Sequence, residues 1–227
     1  MKHKIILLVI IVLAFILRIY RLDQVPPSLY WDEASLGYNA FSISQTLRDE
    51  HGVFLPVTNF AAFGDYKPVG YIYAIVPFIK LFGFSEIAVR MPSVIAGMLL
   101  VLVTYFLVKE KKIALFAALF VAVSPWALQM SRAGFEANLA TLFSGLGALF
   151  FLRKSFSLSA VFFALSMYTF NTHRIFVPIF VIGLSIIYFQ KKLVIFYLVF
   201  VVLLLPLVPH LLSPEGKLRF NEVSWVN

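Results

Sequence analysis

Residues Val69 to Gly83 read VGYIYAIVPFIKLFG, an apolar run interrupted by Pro77 and Lys80, and the topology of the whole chain depends on whether this run crosses a membrane. That a membrane is involved follows from composition. Hydrophobic residues make up 61% of the 227 and charged residues 13%, and the mean hydropathy is +0.92. One soluble core of this length could not hide so much apolar surface, so the chain reads as an integral membrane protein. The absence of cysteine excludes disulfides and thiolate metal sites.

Seven further runs suit helices: Lys4 to Tyr20, Met91 to Val108, Ile113 to Met130, Asn138 to Leu152, Leu158 to Phe170, Ile175 to Phe189 and Leu193 to Leu212. A helix needs about 20 residues to cross roughly 30 Å of hydrocarbon, so the shorter runs must recruit their flanks. The first run follows Lys2-His-Lys4 without a cleavage-type small-residue site and is expected to be a retained signal anchor.

Charge placement separates seven spans from eight. If Val69 to Gly83 does not cross, one side collects Lys2, Lys4, Lys109, Lys111, Lys112, Arg153, Lys154, Lys191 and Lys192 against Glu110 alone. The other side then holds ten basic residues balanced by ten acids, of the 19 and 11 in the chain. This is the positive-inside pattern, and eight spans would turn the basic loops outward. The same distribution accounts for a pI near 9.7 without nucleic acid, because no basic, aromatic-interleaved patch is present. The expected fold is therefore an all-α polytopic membrane protein with about seven transmembrane helices. Interfacial helices are expected in a long first outer loop, about residues 21–90. The whole of 1–227 reads as one membrane domain, and the stretch from Ser213 ends without a closing element, as a truncated chain would.

Within the loop, Leu36, Ala40, Ile43 and Leu47 share one face of a helix expected over Ala34 to Leu47. Pro68 is expected to open the interfacial helix that follows. The charges outside the basic turns fall on the outer side. At the start of the first loop helix, Asp32 and Glu33 could be an acid pair that caps it, or a charged base favoured by the helix dipole. Lys67 could hold a lipid phosphate at headgroup depth, or snorkel. Arg90 could clamp phosphate through two donors, or pair with Glu86 four residues earlier. Arg132 and Glu136 could form an i,i+4 ion pair, or Glu136 could face Asp32 as a second carboxylate. At another outer turn, His173 is a surface residue or an acid, and Arg174 a further cation. Tyr66 and His173 are candidates for substrate contact. No glycine-rich nucleotide loop, HExxH or GxSxG occurs.

The order of these groups resembles the polytopic GT-C glycosyltransferases, in particular the protein O-mannosyltransferase and lipid A aminoarabinose transferase group. The resemblance rests on an acidic pair after the first span, then Lys67-Pro68 before an interfacial helix. Phe-Gly-x-Ser-Glu and Arg-x-Pro-Ser follow at the second span, with an arginine and an acid after the third. It covers roughly residues 5–190, and it departs from the family where Lys-Pro-Pro is Lys67-Pro68-Val69 here. The resemblance implies transfer of a sugar from a polyprenyl-phosphate donor to a hydroxyl of a lipid, glycan or protein acceptor. It places the site on the extracytoplasmic side of the plasma (inner) membrane. By the same likeness Asp32 is the catalytic carboxylate and Glu33 the neighbouring acid, Lys67 and Arg90 match positions that hold the donor phosphate, and Arg132 and Glu136 match the second-loop pair. Glu136 is a candidate catalytic acid, and Arg132 and Arg174 are further candidate cations for the phosphate. No cofactor is expected; a divalent metal would have only Asp32 and Glu136 to bind. The competing readings are a lipid or solute transporter, which calls for ionisable groups at mid-span or inverted repeats, and an inactive scaffold whose outer charges leave no cavity.

Overall fold

The computed structural model describes residues 2–214 and 216. Each apolar run becomes helical. The helices are α1 Lys2–Ile19, α2 Trp31–Thr46, α3 Gly70–Phe82, α4 Glu86–Leu107, α5 Lys111–Val123, α6 Pro125–Arg132, α7 Glu136–Leu152, α8 Phe156–Met167, α9 His173–Ile187, α10 Leu193–Leu204 and α11 Val208–Leu212. Two helical stretches among the described residues, Glu86–Leu107 and Leu193–Leu212, are long and apolar enough to cross a membrane by length and composition. The bent pair α5 and α6 makes a third if it counts as one span. The expected seven are thus not all met by that criterion. The helices α7, α8 and α9 are shorter, and α1 carries Lys2, Lys4 and Arg18 within its length. Most of the stretch from Ser213 onward lies outside the described residues.

The decisive segment forms α3, whose 13 residues extend only about 20 Å. It is seated between protein surfaces. Tyr71, Ile72, Ile75 and Ile79 are buried against Leu36, Ala40 and Ile43 of α2 and Ala88, Val89 and Ala96 of α4. The helix starts at Gly70 because the loop after α8 passes directly over it. The Gly70 N–H donates to Tyr168 O at 2.8 Å, and a Cβ there would lie 2.4 Å from Thr169 Oγ1. Pro68 therefore stands two residues before α3 instead of in its first turn.

A second core joins Phe151, Phe156, Phe163, Val177, Phe196 and Phe200 of α7 to α10, with Phe196 meeting Phe151 and Phe163 edge-on. Outside it, Phe116, Phe120, Ile186, Phe189 and Leu198 stand exposed. Such large apolar faces suit hydrocarbon and would be costly in water.

Two features were not anticipated. First, Phe60–Ala62 (β1) and Asp65–Lys67 (β2) form an antiparallel hairpin, with Ala62 paired to Asp65 and Phe60 to Lys67. Its two-residue loop, Phe63-Gly64, has positive φ at both positions, as a type I′ turn requires. Second, the run from Ile113 to Met130 is broken at Ser124-Pro125 by a 55° bend. Pro125 has no N–H, so the Val121 carbonyl four residues earlier loses its helical donor. The fully buried Arg18 of α1 replaces it: Nη2 donates to Val121 O at 3.1 Å, Nη1 to Ala122 O at 3.0 Å and Nε to Ser131 Oγ at 3.2 Å. This junction needs Gly97 in α4, where a Cβ would fall 2.0 Å from Ser131 Oγ and 2.9 Å from Arg18 Nε.

Candidate active site

Helix α2 begins earlier than the apolar spacing suggested, so Asp32 and Glu33 occupy its first turn. Adjacent residues on a helix point about 100° apart, and the two acids have different surroundings. Glu33 is fully buried. Its Oε1 accepts from Arg90 Nε at 3.0 Å and from the Gly134 N–H at 2.7 Å, and its Oε2 accepts from the Tyr30 N–H at 3.0 Å. Glu33 thus caps α2 and ties it to α4 and to the loop between α6 and α7.

Arg90 is likewise fully buried, and its guanidinium is occupied. Besides Glu33, it donates from Nη1 to Leu22 O at 2.8 Å and Pro26 O at 3.0 Å, and from Nη2 to Ser28 O at 2.7 Å. Glu33 thus takes the place of the alternative partner, Glu86. Arg132 ends α6 and Glu136 starts α7, so no single helix holds them at i,i+4. Arg132 closes the C-terminal end of α1 instead, donating to Leu17 O at 2.9 Å, Arg18 O at 3.2 Å and Val25 O at 2.8 Å. Arg90 thus donates to Glu33 and to three backbone carbonyls, and Arg132 to backbone carbonyls at the end of α1.

Asp32 points into a cavity of about 460 Å³. There its Oδ1 accepts from Lys67 Nζ in an ion pair, with side-chain exposures of 31% for the acid and 9% for the base. The hairpin delivers Lys67. Alternate residues of a strand share a face, so Asp65 and Lys67 both reach the cavity, while Tyr66 turns away and its ring lies 6.4 Å from that of His210. Glu136 completes the polar lining from the first turn of α7, and Trp31, Phe63, Met130, Phe135 and Phe170 supply apolar walls. Asp32, Lys67 and Glu136 meet here as the sequence leads one to expect; Asp65 is among the same outer-face charges but carries no role in the sequence reading, and its spacing of two from Lys67 is the signal that joins it to them.

The remaining candidates, His173 and Arg174, open α9. Arg174 donates from Nη2 to Thr58 O at 3.1 Å and from Nε to Met167 O at 3.3 Å, and it lies within electrostatic reach of Asp65. His173 packs edge-on to Phe170 and Phe176, and its buried Nδ1 has no hydrogen-bond partner among the described residues. A second cavity, of about 660 Å³, is lined by residues from Pro26 to Trp31 together with Gln129, Ala133 and Phe135. Trp31 and Phe135 stand in the walls of both.

Chemically, the first cavity combines acceptors for hydroxyl protons with one ammonium for an anion, beneath an aromatic wall. That is a set suited to moving a group between oxygens. No curated protein and no solved structure matches the chain. A family profile does: that of the dolichyl-phosphate-mannose-protein mannosyltransferases matches residues 66–212, beginning at the strand that carries Lys67 and leaving Asp32 and Glu33 upstream. With more than half its length matched, the chain belongs to the dolichyl-phosphate-mannose-protein mannosyltransferase family of GT-C membrane glycosyltransferases.

Proposed function

We propose that the chain transfers a sugar from a polyprenyl-phosphate donor to a hydroxyl acceptor, with Asp32 as the general base and Lys67 as the cation that receives the leaving phosphate. The observation that carries this reading is the ion pair of Asp32 and Lys67 in a cavity shared with Asp65 and Glu136. In the step, the acceptor oxygen forms a bond to the anomeric carbon while the bond from that carbon to the phosphate oxygen breaks. The hydroxyl proton passes to Asp32, and the charge gathering on phosphate draws Lys67 away from Asp32. One C–O bond replaces another, so the reaction calls for no redox cofactor. Glu136 orients the acceptor hydroxyl, and Arg174 is a second cation, within electrostatic reach of Asp65. Tyr66 and His173 are assigned to the back wall of this region. Glu33, Arg90 and Arg132 hold the frame.

Lys67→Met is expected to raise the KM for a polyprenyl-phosphate sugar by about 10- to 100-fold, as loss of one charge-assisted phosphate contact would. The assay is initial-rate transfer with varied donor. An unchanged donor KM would remove Lys67 from the phosphate site.

On this reading the chain spans the plasma membrane about seven times and α3 stays on the extracytoplasmic side with the cavity. Basic turns support that side: at one of them Glu110 caps α5, accepting from the Lys112 N–H at 3.0 Å and the Ile113 N–H at 2.6 Å. Those bonds hold its carboxyl below the ordinary range. Cysteines at Ser44 and at Lys111 test it. The first should react with an impermeant reagent in intact cells and the second only after permeabilisation; the reverse pattern would invert the topology.

A further inference from the structure

The large apolar residues around the site are unevenly placed. Trp31 and Phe63 are 61% and 71% exposed. Even so, their rings stack on each other at 6.0 Å and 24°, and both line the acid cavity. Tyr30 continues the ridge edge-on to Trp31 at 5.5 Å and to Phe135 at 6.4 Å. A stacked, open indole beside Asp32, Asp65 and Glu136 offers two complementary surfaces. The aromatic face is electron-rich and attracts the polarised C–H face of a pyranose. Each carboxylate has about four acceptor positions, so even an engaged one retains capacity for hydroxyl donors at the ring's edge.

Resting on the transferase reading above, we propose that the acceptor is itself a carbohydrate, whose sugar ring lies on the Trp31–Phe63 stack and presents one hydroxyl to Asp32. A peptide fits this lining less well. Its carbonyls need donors, and among the described residues lining the cavity Lys67 is the only cation, already held by Asp32. The Trp31 ring stands in the walls of two cavities, within reach of the acids that line one of them.

The test uses the full chain with Trp126→Phe and Trp225→Phe, which leaves Trp31 as the sole tryptophan of the three. Its emission is followed while methyl glycosides of glucose, galactose, mannose and N-acetylglucosamine, or a capped Ser/Thr peptide, are added. At least one glycoside should shift the emission saturably, and the peptide should not. Phe63→Ala should weaken that glycoside by about tenfold, the scale of one aromatic contact. Phe63→Leu, which preserves bulk but not the ring, should do the same. A response to the peptide alone, or no saturable response to any glycoside, would overturn the proposal. Glycoside binding needs no donor and no turnover, so failure here leaves donor chemistry standing, and failed donor chemistry leaves the binding curve readable.

Discussion

Asp32→Asn is expected to lower sugar transfer at saturating donor and acceptor by about 10²- to 10⁴-fold, the usual contribution of a positioned base. The substitution retains an oxygen that can accept from Lys67, and the site is partly open, so the fold should survive it. Turnover and thermal unfolding measured on the same preparation separate the two effects. A variant that melts like the parent and still turns over at the parental rate would exclude Asp32 as the base.

The second large effect is on stability. Arg90→Ala should cost about 3–5 kcal/mol, because it leaves Glu33 charged and buried without its partner and strands three carbonyls of the 22–28 segment that Arg90 now satisfies. Arg90→Lys should recover little, since an ammonium cannot reproduce the planar fork that reaches Leu22, Pro26, Ser28 and Glu33 together. Unfolding midpoints in detergent read this directly. A well-folded Arg90→Ala protein whose only defect is a raised donor KM would return Arg90 to the phosphate site.

The physical reason for the division of labour between Asp32 and Glu33 is helical geometry. Neighbours on a first turn diverge, so one carboxylate enters the cavity and the other the protein interior. Nothing in the adjacent letters says which is which. The deciding partner, Arg90, is 57 residues away, and its separation in sequence carries no orientation. Lys67 was legible as a membrane-edge cation, and its convergence with Asp32 followed from the order of the charged groups. Its delivery by a hairpin was not, because strands of three residues give too short an alternation to register.

Helix existence was plain throughout, since long apolar runs have few alternatives. The break at Pro125 was present in the letters Ser124-Pro125 yet hidden by the continuous apolarity around it. The arginines that repair chain ends were hidden more deeply. Arg18 sits in a helix whose composition resembles a plain anchor, and its role depends on where α5 happens to end. An ionisable group at such a position could suggest a transport path. Here its donors close helix carbonyls, a structural use that explains its burial.

The account stands or falls most directly on the donor. Full-length protein in membranes should release labelled sugar to an acceptor from a polyprenyl-phosphate sugar, with no transfer from the matching nucleotide sugar, and the release should vanish with Asp32→Asn. Transfer from the nucleotide sugar, with the polyprenyl-phosphate donor left intact, would contradict it.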